Sequence, residues 1–308
     1  MDNFGIMLKS YGPDLPYAQR FLKSFLTFST EPIPLYVVVP DQDVAEFKQI
    51  FGTLGEVLPE SLWSDYLVDY PVNGYGPEYI NQKIIKLAFG EKNYLANYLC
   101  ADSKTMFIRP FTSTDFMADR TTPFTFLSED QELQVDPIHF NRYGRIRNWS
   151  LENLREHLGL PPTPIATCQS MAVISSKVVD SLVKYMKEQG LSYADLMEIS
   201  PHELSWYNFW LEKELPIQRV VREPIFEMIQ MPLQHPGYAL KGINLENLTR
   251  GYVGVVLKSD LSHDYGVLDF DADFIDTLAR NLSYRALAGG IFERALQRVP
   301  RVRKIFKV

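Results

Sequence analysis

The apolar positions of the first hundred residues follow two patterns: short continuous runs and helical spacing. Residues 4–8 and 33–40 form short apolar runs, and the β-branched centre of the second run is apolar on both faces, as a parallel sheet requires. Residues 15–28 and 41–51 instead repeat their apolar positions at helical spacing. Strand, helix, strand, helix in this order predicts right-handed crossovers and a parallel sheet.

The pattern continues with a third helix and a third strand. In the predicted helix 78–89, Gln82 and Lys86 lie four residues apart and share a face away from the apolar stripe. Residues 98–101 then form a buried strand that ends at Asp102-Ser103-Lys104. Ligands of such sheets bind beyond the carboxyl ends of the strands. The segments that follow the strands are therefore the expected site.

Beyond residue 120 the pattern is looser, and it favours one domain over two. It predicts short strands at 171–174 and 252–257, helices at 177–190 and 202–213, and a mostly helical segment at 271–298. No internal repeat or clear linker divides the chain. The sequence thus predicts an α/β fold with a Rossmann-like, mostly parallel sheet flanked by helices and a helical C-terminal portion.

Composition and charge narrow the function classes. The chain has 308 residues, of which 46% are hydrophobic and 22% charged, as in ordinary globular proteins. Its net charge of −7 argues against nucleic-acid binding. Two cysteines, Cys100 and Cys168, are too few for a disulfide framework and fit a reducing compartment. Because the pattern contains neither a leader peptide nor a membrane-spanning apolar run, a cytoplasmic protein is expected.

The strand end at Asp102 carries the most informative chemistry. A carboxylate there can hold a divalent cation or a ribose hydroxyl against a nucleotide diphosphate, and two acids spaced as D-x-D do this in many sugar-nucleotide enzymes. Here Lys104 takes the place of the second acid. A lysine repels a metal ion but can neutralise phosphates directly. The alternative is an ordinary strand-end turn with solvated charges.

Several segments, taken in order, resemble a known family. They are Lys9-Ser10-Tyr11 with Asp14, Val39-Pro40 with Asp43 and Phe47, the run 81–87, and residues 98–105 continuing to Phe111. Together they look like the bacterial GT-A-like glycosyltransferases that are grouped as a family of unknown function and are often encoded among surface-polysaccharide genes. In that family the last segment usually reads L-D-S-D-T-x-F-x-R-P and follows a Q-x-x-x-K-L helix. The resemblance covers residues 5–111 well and continues more weakly through 168–176, 200–207 and 252–259.

The resemblance implies a single GT-A-like domain with a nucleotide-binding half at 1–111 and an acceptor half at 112–270. The apolar pattern and the Arg and Lys content add a helical basic tail at 271–308. The resemblance also implies a nucleotide-sugar site at the strand ends and on the third helix, formed by Lys9, Ser10, Tyr11, Val39, Pro40, Gln82, Lys86 and Ser103. Asp102 matches the first acid of the family motif and Lys104 departs from the second, so both are candidate catalytic residues. That departure puts the family's Mn²⁺ or Mg²⁺ in question.

Candidates on the acceptor side come from later segments. Glu203 begins a predicted helix and is a candidate general base for the acceptor hydroxyl, or a first-turn acid favoured by the helix dipole. His263 follows a predicted strand and is a candidate metal ligand together with Asp102, or a histidine of a surface loop. Asp130 is a further acceptor-side carboxylate.

These observations lead to one leading hypothesis and its rivals. The leading hypothesis is transfer of a sugar from a nucleotide-diphosphate sugar to a hydroxyl of a glycan or lipid-linked acceptor. The basic, amphipathic tail 294–308 predicts peripheral contact with the inner membrane face, with a solvated helix or an oligomer contact as alternatives. The rival is a non-catalytic binding protein that kept the sheet and lost the metal site. A nucleotidyltransferase is disfavoured because no glycine-rich phosphate loop follows the first strand.

Overall fold

The computed structural model of the chain describes residues 3–127, 145–161, 171–214, 219–229 and 245–257. Within these ranges the strands are β1 (Gly5–Lys9), β2 (Leu35–Val39), β3 (Glu56–Pro59), β4 (Asn97–Asp102), β5 (Thr105–Phe107), β6 (Phe124–Phe126), β7 (Ala172–Ser175), β8 (Val220–Arg222), β9 (Phe226–Ile229) and β10 (Gly254–Leu257). The helices are α1 (Leu15–Phe28), α2 (Val44–Phe51), α3 (Pro77–Ala88), α4 (Arg145–Leu158), α5 (Ser176–Gln189), α6 (Tyr193–Ile199), α7 (Glu203–Lys213) and α8 (Leu245–Gly251).

Strand β1 is the centre of the main sheet. All five of its residues are buried, as expected for a strand whose two faces are both covered. It pairs in parallel with β2 on one side and β4 on the other, and β2 pairs in parallel with β3. The full order is β3-β2-β1-β4-β7, with β7 antiparallel at the edge, a direction that the sequence pattern did not predict. The predicted α/β fold with a mostly parallel sheet flanked by helices is confirmed.

Successive residues of β1 point into two separate cores. Ile6 and Leu8 pack in one cluster with Phe21 of α1, whereas Met7 packs in the other with Ile84 of α3. Neighbouring side chains of a strand face opposite sides of the sheet, so this division places helices on both faces. Because both faces are covered, a ligand reaches the sheet at the ends of its strands.

A second, three-stranded sheet of β5, β10 and β9 packs on α1 through aromatic side chains. Phe107 of β5 stacks on Phe111 with ring centroids 4.1 Å apart, and it also contacts Phe21 and Phe25 of α1. Phe226 of β9 meets Phe107 edge-on. Position 111 is the predicted boundary between the nucleotide-binding half and the acceptor half. Described residues on both sides of it share one hydrophobic cluster.

The elements predicted in the first hundred residues lie within a few positions of the observed ones. Strand β3 and helix α6 are too short for a periodic pattern, and α4 has few apolar positions, so none of the three was predicted. The predicted helical segment 271–298 lies outside the described residues. In the part of the chain that the structure describes, no helix is both long and apolar enough to cross a membrane.

Candidate functional site

The topology of the sheet defines one crevice at its carboxyl edge. From β1 the chain adds β2 and β3 on one side and then places β4 on the other side, so the order reverses between β1 and β4. In open α/β sheets, ligands bind at such a switch point, beyond the carboxyl ends of the two strands. The register pairs Lys9 at the end of β1 directly with Asp102 at the end of β4. The two segments that the sequence singled out therefore lie side by side.

The turn after β4 is held by carboxylates. Asp102 accepts a hydrogen bond from the Lys104 backbone N–H, at 3.0 Å, and its own side chain is 31% exposed. Lys104 extends its Nζ to within 2.5 Å of Asp14 Oδ2, while it stays 3.9 Å from Asp102 Oδ1. Ser103 donates its hydroxyl to the same oxygen of Asp14, at 2.9 Å. Asp14 thus organises the corner formed by Asp102, Ser103 and Lys104. The sequence indicated Asp14 only as one of the residues that carry the family resemblance.

The Lys104 side chain keeps its positive charge in this setting. Burial favours the neutral amine, but the carboxylates of Asp102 and Asp14 outweigh burial and raise the pKa of Lys104. The ring of Tyr17 adds a cation–π contact, with Nζ 5.5 Å from its centroid. The corner at neutral pH therefore contains an ammonium group with two carboxylates around it.

Strand β1 ends in a second ion pair. Lys9 Nζ lies 2.6 Å from Glu60 Oε1 and donates a hydrogen bond to the Ser10 carbonyl at 2.7 Å. Burial lowers the pKa of Lys9, against the opposing effect of Glu60. Glu60 comes from the 3₁₀ segment after β3, and the sequence analysis missed it. Glu60 reaches Lys9 because it directly follows β3, a strand too short to predict from the sequence.

The loop after β1 is tied to the loop after β2. The Ser10 N–H donates to the carbonyl of Val38, and the Gly12 N–H donates to Asp43 Oδ2 at 2.6 Å. The predicted pocket residue Val39 is the last residue of β2 and is fully buried, and Pro40 begins the loop after it and is partly buried. The two strand ends therefore form one connected wall of the crevice.

The loop after β1 carries two further side chains that are candidates for ligand binding, Ser10 and Tyr11. Ser10 is 2% exposed, and among the described residues its hydroxyl has no hydrogen-bond partner. Tyr11 beside it is 45% exposed, so its ring is accessible to a ligand. A buried hydroxyl without a partner costs free energy, so Ser10 is suited to meet a polar ligand atom.

Helix α3 supplies a third group of charges, buried beneath the edge. Glu203, in the first turn of α7, lies between Lys83 and Lys86 at 2.8 Å and 3.4 Å. Burial alone would raise the pKa of Glu203, but the two lysines lower it to about 2. Glu203 and Asp102 both help to raise the pKa of Lys86, despite its burial. The cluster is therefore fully charged at neutral pH, with Lys86 close enough to Asp102 to interact electrostatically.

The remaining candidates from the sequence are Gln82, Glu203, His263 and Asp130. Gln82 is partly buried on α3, one residue before Lys83. Glu203 has the buried position just described, where its low pKa makes it a weak proton acceptor. His263 and Asp130 lie outside the described residues. The thiol of Cys100 on β4 is buried, and burial raises its pKa to about 12, so it stays a neutral packing group.

The corner does not fit a divalent cation well. In the described ranges, no three His, Cys, Asp or Glu side chains are grouped so that they could hold a metal ion. Asp102 and Asp14 are the nearest oxygen donors, and both have the Lys104 ammonium beside them. Mn²⁺ and Mg²⁺ need several oxygen ligands without a competing cation. No chemical step is therefore assigned to a metal ion here.

Comparison with known proteins gives a family and two distant structures. A family model described as a family of unknown function (DUF6492) matches residues 8–228. No curated protein matches the sequence. The apo form of mouse xyloside xylosyltransferase 1 is similar at 10% identity and a TM-score of 0.46, over 84% of this chain and 99% of that chain. The apo structure of WbbM, a bifunctional glycosyltransferase, is similar at 10% identity and a TM-score of 0.49, over 95% of this chain and 52% of that chain.

We expect Glu203→Gln to destabilise the protein by about 3–5 kcal/mol, because it leaves Lys83 and Lys86 buried without a counterion. Urea unfolding at pH 7 measures this loss. The pKa of Glu203 is depressed in the folded state, so its stabilisation is present above its ordinary value of 4.5 and is lost as the pH falls towards 2. The variant should therefore lose less stability than the native protein across that pH range.

The matched control is Glu246→Gln, which breaks an exposed ion pair with Arg250. Exposed pairs contribute about 0–1 kcal/mol, so this variant should unfold almost as the native protein does. Equal effects of the two substitutions would show that the buried cluster is not a structural requirement.

Proposed function

The chain belongs to the family of unknown function DUF6492, and we propose that it is a glycosyltransferase. In this proposal it moves a sugar from a nucleotide-diphosphate sugar to a hydroxyl of a glycan or lipid-linked acceptor, in surface-polysaccharide synthesis. The observation that carries the proposal is the pairing of Lys9 and Asp102 across the switch point of the sheet, with the unsatisfied Ser10 hydroxyl beside them. A nucleotide offers the charge and hydroxyl groups that such a crevice can bind.

The nucleoside part of the donor would bind at the ends of β1 and β2. The partly exposed Pro40 offers an apolar surface, backed by the buried Val39, and the exposed ring of Tyr11 offers a surface for the base. The Ser10 hydroxyl would take a ribose or phosphate oxygen as its missing partner. Asp102, with its partly exposed carboxylate, would accept a ribose hydroxyl.

The diphosphate would be neutralised by lysine. Lys104 is already positioned by its 2.5 Å contact with Asp14 and keeps its charge. A phosphate oxygen would compete with Asp14 for this ammonium group and would carry more charge as the bond to the sugar breaks. Pre-positioned charge of this kind stabilises the transition state more than the ground state. Lys86, held by Glu203, would add to the positive potential below the crevice.

The role that we propose for Glu203 differs from that of the general base predicted from the sequence. Its carboxylate contacts two lysines and its pKa is lowered to about 2, so it is a poor acceptor for a proton at neutral pH. We propose that it positions Lys83 and Lys86 instead. His263 and Asp130 remain sequence-based candidates for the acceptor side.

The rival function is that of a non-catalytic binding protein. The specific observation in its favour is that Lys104 stands where the family has an acid and is neutralised internally by Asp14. Such a corner could bind a nucleotide without promoting transfer. The two functions differ in turnover, not in binding.

The direct test is donor hydrolysis or sugar transfer across a panel of nucleotide sugars, with and without EDTA. We expect at least one donor to turn over, at rates within about twofold in the two conditions, because lysine rather than metal neutralises the diphosphate. Calorimetric titration with the parent nucleoside diphosphates separates binding from turnover. Binding without turnover would favour the rival, and no nucleotide binding under any condition would sink both.

We expect Lys104→Asp to lower EDTA-resistant turnover about a hundredfold, because it removes the cation that faces the leaving group. The same change brings a third carboxylate next to those of Asp102 and Asp14, so it should create Mn²⁺-dependent nucleotide binding. Turnover and calorimetry with and without Mn²⁺ measure both effects. The control is Lys177→Asp, an identical charge change at an exposed position that should alter neither. An inert native protein whose variant binds nucleotide only with metal would indicate a degenerate enzyme.

We expect Ser10→Ala to leave the free energy of unfolding unchanged or to raise it by up to about 1 kcal/mol, because the lost hydroxyl is buried without a partner. The same variant should bind nucleoside diphosphates about tenfold more weakly. Urea unfolding and calorimetry measure the two effects.

Ser24→Ala is the matched control for Ser10→Ala. The buried Ser24 hydroxyl donates to the Phe21 carbonyl at 2.8 Å and accepts the Phe107 N–H at 3.1 Å. Its removal should destabilise the protein by about 1–3 kcal/mol and leave nucleotide affinity unchanged. If Ser10→Ala instead destabilises as strongly and binds nucleotide normally, its hydroxyl is a structural group.

A further inference from the structure

A second concave surface lies among α4, the end of α6 and the turn between β3 and α3. Its volume is about 410 Å³, within the range of roughly 300–1,000 Å³ that small-molecule sites occupy. The groove is lined mainly by Asn73, Trp149, Asn153, Glu156, His157 and Glu198. None of these residues belongs to the carboxyl edge of the sheet.

The helix α4 divides its residues between the core and this groove. Leu151 and Leu154 are fully buried on its inner face. Trp149, Asn153 and Glu156 follow one another at spacings of four and three, so they share the opposite face and point to the groove together. The helix therefore presents one aromatic ring and several polar groups in a row.

The opposite wall is fixed by hydrogen bonds. Asn73 donates its backbone N–H to Glu198 Oε2 and its side-chain amide to the Glu198 carbonyl, both at 3.2 Å. Asn73 and Gly74 have positive φ angles of 53° and 78°, the left-handed conformation of a tight turn. The turn is thus docked on the end of α6, and the groove is formed before any ligand arrives.

Trp149 is far more exposed than the other three tryptophans of the chain. Its side chain is 62% exposed, whereas Trp63, Trp206 and Trp210 are at most 3% exposed. An exposed indole offers a flat apolar face, and here it has carboxamide and carboxylate groups around it. A pyranose ring matches this combination, because its C–H face packs on an aromatic ring while its hydroxyls pair with amides and carboxylates.

The charges of the groove favour uncharged sugars over acidic ones. Glu156 and Glu198 supply two carboxylates, and no lysine or arginine is among the described lining residues. Burial and the nearby Lys213 lower the pKa of His157, which keeps its ring neutral at pH 7. A phosphate or a sugar acid would therefore be repelled, whereas neutral hydroxyls would not.

We propose that this groove binds an uncharged saccharide, with Trp149 as the stacking platform and Asn153, Glu156 and Glu198 as hydrogen-bonding partners. The site is separate from the crevice between β1 and β4. Saccharide binding here does not require the transfer reaction proposed above, and the two ideas can fail independently.

Tryptophan fluorescence tests the proposal on the full chain. Trp149 is the exposed one of four tryptophans, so acrylamide quenching reports mainly on it. Neutral trisaccharides of different linkage (maltotriose, cellotriose, mannotriose and triacetylchitotriose) should include at least one that protects this fluorescence and gives a saturable isotherm by calorimetry. Trigalacturonic acid should not protect it. Trp149→Ala should weaken binding of the best trisaccharide about tenfold or more.

Two controls make the result specific. Tyr70→Ala removes another exposed aromatic ring, 53% exposed and outside the groove, and should leave trisaccharide affinity unchanged. Trp149→Ala should leave nucleoside-diphosphate binding unchanged, which separates the groove from the carboxyl edge. The proposal is overturned if no neutral trisaccharide binds at millimolar concentration, if Trp149→Ala binds as the native protein does, or if only the acidic trisaccharide binds.

Discussion

Buried ammonium groups need carboxylates close to them, and much of this fold is arranged to supply these. An unpaired charge in a protein interior costs several kcal/mol, so its partner must arrive with the folding chain. Lys104 has Asp14 from the loop before α1, and Lys83 and Lys86 share Glu203 from the start of α7. These contacts join segments that are 90 and 120 residues apart in sequence. The charges and the hydrophobic clusters thus fix the same arrangement of helices around the sheet.

In the proposed function, the same pairs prepare the carboxyl edge for a nucleotide. A lysine that is already extended and hydrogen-bonded has little side-chain freedom left to lose when it exchanges a carboxylate for a phosphate. Ser10 complements this arrangement, since its buried hydroxyl offers a hydrogen bond that the described residues leave unused. At this edge the lysines are paired with carboxylates of the protein, whereas the Ser10 hydroxyl has no hydrogen-bond partner among the described residues.

The hydrophobic pattern predicted four of the five strands of the main sheet, but not β3, the direction of β7 or the ion pairs. The continuous apolar runs of β1, β2 and β4 identified buried parallel strands, and their ends correctly located Lys9 beside Asp102. Periodicity reports which face of an element is buried, not which distant residue it meets. Glu60 and Asp14 were therefore missed as partners, and the antiparallel direction of β7 was missed for the same reason. Glu203 was predicted as a general base or a first-turn acid, whereas its contacts with two lysines depend on how α7 packs against α3.

The ion pairs at the crevice also affect the rate at which an anionic ligand would bind. Lys9 and Lys104 already face Glu60 and Asp14, and the whole chain carries a charge of −7. Such a surface projects little positive potential beyond a Debye length of about 8 Å at physiological salt. An anionic ligand would then arrive without electrostatic steering towards the crevice. Recognition would begin at contact, where the incoming oxygen displaces a carboxylate, and selectivity would appear in the dissociation rate.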